Sequence, residues 1–212
     1  MKTEELIRLL AEDRTRPGMS VGTRAVTWAG LGAVLSMAVL IGMLGVRPDI
    51  GTAATGWRFP LKALFILVLM LGSAAAYMRA SQPLPGGDRA TGIILIAFTI
   101  IVAGVVGELL VSQIEQLASG AMGKNPAPCL IAIPGLAMAP LFGLLAAMRH
   151  GAPVSTSMAG AYAGLMSGSL GAAIYMIRRT DDSPLFVSLW YVAAIAAVTL
   201  IGALLGHRAL RW

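Results

Sequence analysis

Six apolar runs dominate the chain, at about 25–46, 59–78, 91–112, 129–148, 156–177 and 185–206. Each is close to the roughly 20 residues a helix needs to cross the hydrocarbon core of a bilayer. Turn-forming segments separate them: Arg47-Pro48-Asp49, Pro83 to Gly87, Asn125 to Pro128, Gly151-Ala152-Pro153 and Asp181 to Pro184. The first 23 residues are polar and mixed in charge. A cleavable signal would place an apolar core directly after a short basic start, and this segment does not. Residues 4–12 predict a short amphipathic helix, with Thr3 as its N-cap. Leu6, Ile7 and Leu10 share one face at i, i+1, i+4 spacing, and Pro17 and Gly18 end the segment. The expected fold is all-α, a bundle of six transmembrane helices at 24–212 behind a short N-terminal segment at 1–23 that carries the amphipathic helix.

Composition sharpens this reading. Apolar residues make up 57% of the 212 and charged residues 12%, with mean hydropathy +0.79. Soluble domains carry roughly 25% charged residues, so an ordinary water-facing surface cannot be covered. A soluble domain, a disordered chain and a disulfide-rich module are excluded. The lipid bilayer is therefore one partner. The 25 Gly and 11 Pro suit membrane helices.

Net charge +6 and a pI near 10.1 do not indicate direct contact with nucleic acid. The basic residues fall in ones and twos at the ends of apolar runs, a topology pattern. Lys2, Arg8, Arg14, Arg16, Arg24, Arg79, Arg89, Arg149, Arg208 and Arg211 lie on one side. Arg47, Arg58, Lys124, Arg178 and Arg179 lie on the other. Both termini are thus expected in the cytoplasm, although Arg178-Arg179 runs against the bias. Trp28, Trp57, Trp190 and Tyr191 fall near run ends, as interfacial aromatics do.

The inventory for catalysis is thin. His150 and His207 sit in turns and read as caps or solvated residues, and no metalloprotease, nucleophile-elbow, phosphate-loop or dinucleotide motif occurs. No catalytic residue, metal or cofactor is expected. Glu108 is the one acid well inside a run and Lys62 the one base. Intramembrane charges are costly and are functional candidates by default. At similar depth they would pair, as a structural ion pair or as part of an ion relay. Gly160, Gly164 and Gly168 form a ridge for close helix packing, with Gly202 and Gly206 as a second pair. A homodimer contact is their second reading. Pro134 and Pro140 favour a kink in the fourth run. Cys129 permits no intramolecular disulfide, and reads either as a small buried hydrophobe or as an exposed sensing thiol. The N-terminal helix is too short to stand alone in water. Its acids Glu4, Glu5, Glu12 and Asp13 count against plain lipid binding, leaving a partner or a juxtamembrane role.

These residues resemble a known family. Glu5 to Asp13 with Pro17, then Cys129-Leu130, Leu145 to Pro153, Ala159 to Leu165, Gly171 to Tyr175, Asp182 to Tyr191 and the closing Gly206 to Trp212 are similar to the NrsF-type bacterial membrane anti-sigma factors. The resemblance implies a six-span inner-membrane protein that holds an extracytoplasmic-function sigma factor inactive and releases it on an envelope stress. It implies partner contacts at Leu6, Ile7, Leu10 and Asp13. It also implies sensing through two outward cysteines, of which Cys129 matches the first. The second would fall within Met176 to Thr180, where this chain has no cysteine. A small ion-coupled transporter using Glu108, Lys62 and the proline-broken fourth run is the alternative.

Overall fold

The computed structural model describes residues 19–45, 47, 51, 55–82, 89–111, 120–123, 126–151 and 153–210. The expected helix at 4–12, with Leu6, Ile7, Leu10 and Asp13, lies outside the described residues. All six apolar runs are helical. They are α1 (Val21–Leu44), α2 (Arg58–Ala80), α3 (Arg89–Val111), α4 (Ala127–Met148), α5 (Thr156–Tyr175) and α6 (Pro184–Ala209). Helix α6 carries a π-helical stretch over Val187–Tyr191. Among the described residues there is no strand.

Local chemistry sets the ends. Ser20 caps α1, its Oγ accepting from the Thr23 N–H at 3.1 Å, so α1 begins at Val21 inside the segment expected at 1–23. Ser155 caps α5 in the same way through the Met158 N–H. Pro184 takes the first turn of α6, where a missing N–H costs nothing.

Five helical segments are long and apolar enough to cross a membrane: α1, α2, α3, α6 and Gly120–Met148, which contains α4. Their length and composition are those of a membrane protein. Helix α5 is not among the five. Its 20 residues include Gly160, Gly164, Gly168, Gly171, Ser167 and Ser169, which lower its hydropathy. The reason is its place in the bundle, for α5 packs against α6, α4, α2 and α1. Its neighbours are protein on most sides, so small residues replace lipid-facing ones. A Cβ on Gly160 would collide with the Gly202 carbonyl, and one on Gly206 would stand 2.6 Å from the Gly160 Cα. Backbones therefore meet across the α5–α6 seam, the close approach small residues permit. The outer helices differ: Val34 and Leu31 on α1, and Val102 and Leu110 on α3, are exposed apolar side chains suited to lipid.

Helix α4 explains how a proline is accommodated in the core. Pro140 has no N–H, so the Leu136 carbonyl loses its helical donor. Ser36 of α1 supplies the replacement, its Oγ donating to that carbonyl at 2.7 Å. A Cβ on Gly32 would come within 2.6 Å of the Pro140 backbone, so glycine is required at this crossing. Ser36→Ala is expected to lower stability in detergent by about 1–3 kcal/mol, the usual cost of an orphaned buried acceptor. Adding Pro140→Ala restores a backbone N–H and should recover most of that loss in thermal unfolding. A double variant no more stable than Ser36→Ala would reject this account.

Candidate functional site

The helices present two ends. The start of α1, the end of α2 and the end of α6 share one; the end of α1, the start of α2 and the start of α6 share the other, here the far end. The far end gathers the buried charge.

Its hub is the loop from Met176 to Ser183. Tyr175 closes α5, and its carbonyl accepts from the N–H groups of Arg178 and Arg179. The Ile177 carbonyl then accepts from the Arg47 N–H at 3.2 Å, tying the loop to the end of α1. Asp182 follows with two cations on one carboxylate. Arg47 donates to Oδ2 at 2.9 Å and Lys62 Nζ to Oδ1 at 3.1 Å. The side chains of Arg47 and Lys62 are only 2% and 1% exposed, and Asp182 is 12% exposed. Each cation takes a second acceptor from the loop backbone, Arg47 the Arg179 carbonyl and Lys62 the Asp181 carbonyl. The Lys62 ammonium also lies 4.8 Å from the centre of the Tyr191 ring, a cation–π contact supplied by the π-helical stretch.

Glu108, near the end of α3, serves the same loop from another side. Its Oε2 accepts from Ser183 Oγ at 2.7 Å and from the Leu185 N–H at 3.1 Å. A carboxylate thus occupies the positive N-terminal end of α6 and satisfies a backbone donor there. Its Oε1 meets Arg58 at 3.1 Å, from the half-exposed first residue of α2. Arg179 pairs with Asp181 within the loop, and Trp190 Nε1 donates to the Ala121 carbonyl at 2.9 Å.

This geometry corrects the expected Lys62–Glu108 pair. Lys62 bonds Asp182 and Glu108 bonds Arg58; each candidate is held by a different partner. The reason is that Asp181-Asp182 does not form a solvated turn but folds back between the helix ends, bringing its own carboxylates to the buried cations. Asp182, Arg47, Arg58 and Ser183 went unnoticed as site residues in the sequence. One signal pointed to them, since Arg178-Arg179 broke the charge bias next to two acids.

Cys129 lies in the first turn of α4 and is fully buried, in a cluster with Ile133, Tyr175 and Tyr191. Gly160 and Gly164 face Gly202, Gly206 and Val198, and Gly168 faces Ile195, so the ridge packs within this chain. His150 Nδ1 sits 3.2 Å from the Ala146 carbonyl and His207 Nδ1 3.4 Å from Ser157 Oγ, both exposed. Among the described residues no three His, Cys, Asp or Glu side chains gather at metal-binding distances.

The arrangement holds; it does not react. Its side chains clamp one loop to the ends of three other helices, and the described residues form an all-helical chain with several helices apolar enough to span a membrane. The comparisons agree with a non-catalytic class. The family model for NrsF, negative regulator of sigma F, matches residues 10–212. The chain is 33% identical over 217 residues to the anti-sigma-F factor NrsF of Caulobacter vibrioides (strain NA1000 / CB15N), covering all of both chains. It is 31% identical over 219 residues, again covering both chains in full, to the probable anti-sigma-F factor NrsF of Azospira oryzae. No solved structure matches significantly. The chain belongs to the NrsF family, whose members are regulatory proteins and not enzymes.

Proposed function

We propose that this chain is a membrane anti-sigma factor that sequesters an extracytoplasmic-function sigma factor through residues 1–23 and releases it on an envelope stress. In this reading six helices cross the bacterial inner membrane, α5 as the enclosed one, with both termini in the cytoplasm. The observation that carries it is likeness along the full chain to two proteins named anti-sigma-F factors. The family match includes Leu10 and Asp13, and the two relatives also cover Leu6 and Ile7. A transporter built on Glu108 and Lys62 finds less support, because both side chains are held by neighbouring residues at helix ends. A chain lacking residues 1–18 should insert at normal level yet fail to co-purify the sigma factor. Full retention of the sigma factor by that chain would reject the proposal.

The far-end loop is the natural input. It joins α5 and α6 and is clamped to α1, α2 and α3, so moving it must disturb several helices. A signal acts there by binding one arrangement better than the other. Cys129 fits a packing role, since a buried lone thiol lacks the further donors that a soft metal needs. Cys129→Ser is expected to leave the sigma-dependent reporter response to metal or oxidant unchanged. A lost response in that variant would give sensing back to the thiol.

A further inference from the structure

Among its described residues, the far-end loop leaves one cation without a carboxylate. Among the described residues there, Asp182 serves Arg47 and Lys62, Glu108 serves Arg58, and Asp181 serves Arg179. Arg178 forms no ion pair with any of these acids, and its Nε is buried without a hydrogen-bond partner. A guanidinium held without a carboxylate keeps its charge uncompensated, and an anion in the cleft beside it would supply the missing partner. Arg178 and Arg179 line a cleft of about 470 Å³. Its facing wall is apolar, formed by Pro128, Ile131 and Ala132 in the first turns of α4, with Tyr175 beside them. Ile131 is 74% exposed on the outer surface of that helix. The cleft thus joins a cationic floor to an apolar flank at the end of the bundle, where α4 begins and α5 ends.

We propose that this cleft binds the phosphate group of an anionic amphiphile, with Arg178 as the principal donor and the tail lying along Ile131. Guanidinium suits phosphate because its planar donors match two oxygens at once. The flank rewards a tail, which a bare ion lacks. A neighbouring cleft lined by Trp57, Arg58, Phe59 and Ser183 also contains Asp182, whose carboxylate would oppose an anion there. The shared chemistry is a phosphate oxygen, and its source is a phospholipid headgroup or free phosphate.

Native mass spectrometry of the full chain in detergent, titrated with phosphatidylglycerol, phosphatidylcholine and inorganic phosphate, separates these. Phosphatidylglycerol should be retained well above phosphatidylcholine, and Arg178→Gln should weaken it on the order of tenfold, the loss of a charged hydrogen bond. Displacement by inorganic phosphate at similar concentration would overturn the amphiphile and leave a site for free phosphate. Equal retention of both lipids, or unchanged retention by Arg178→Gln, would overturn the proposal. Should Arg178→Gln fail to fold, Ile131→Glu sets a carboxylate on the exposed flank of this cleft alone and must produce the same loss. Unchanged binding in that variant is equally fatal. Binding is read directly, so the result is independent of any sigma factor.

Discussion

Asp182→Ala is expected to destabilise the bundle by about 3–5 kcal/mol, the cost of stranding buried charge by removing its partner. Solvent screens little of this cost, because the Arg47 and Lys62 side chains are almost wholly enclosed. Removing the carboxylate leaves two cations facing the same hole, and their repulsion adds to the desolvation already incurred. Their backbone acceptors, the carbonyls of Arg179 and Asp181, soften the loss but carry no full charge. Asp182→Asn keeps the shape and one acceptor, so it should fall between wild type and alanine. Replacing Arg47, Lys62 and Asp182 together with apolar residues of similar volume should cost far less than alanine alone, since no charge is then orphaned. Thermal unfolding in detergent, read by circular dichroism, checks the order. If Asp182→Ala unfolds within about 1 kcal/mol of wild type, the clamp does not hold the loop.

That clamp also marks where sequence reading stopped. The helices were legible because a bilayer demands about 20 apolar residues per crossing, a signal that one chain carries in full. The start of α1 shifted to Val21 only because Ser20 caps it. The seam between Gly160 and Gly202 was foreshadowed by spacing of four, which puts small residues on one helical face. Charge pairing was not legible in the same way. Depth along their helices pairs Lys62 with Glu108, but partners are chosen by lateral position, which depends on helix order around the bundle. Loop 176–183 further brings Asp182 to the buried cations from a stretch whose Asp-Asp-Ser-Pro chemistry reads as a solvated turn. The role of Ser36 was hidden for a related reason. Pro140 announces an orphaned carbonyl at Leu136, yet nothing in the sequence says which helix will supply the hydroxyl.

Leu6→Ala together with Leu10→Ala is expected to release the sigma factor while the helical bundle still inserts and folds. On the proposed reading the segment orders on its partner, since roughly ten residues form no stable helix alone in water. Ordering costs about 1–2 kcal/mol of backbone entropy per residue, whereas burying each leucine or isoleucine returns roughly 1.5–3 kcal/mol. Three apolar side chains therefore do not cover the cost of ordering the segment. Backbone capping and charge contacts must supply the rest, with Asp13 and the nearby glutamates offering negative charge to a basic surface. A system so balanced has no reserve, so losing two of three anchors should weaken binding by on the order of 100-fold. Asp13→Ala should weaken it less, and its effect should shrink at high salt, where screening has already removed part of the attraction. A sigma-dependent reporter, with membrane levels matched by immunoblot, reads the release, and binding in detergent at two salt concentrations reads the screening. Full repression by the double leucine variant at normal protein level would place the sigma-binding surface elsewhere on the chain.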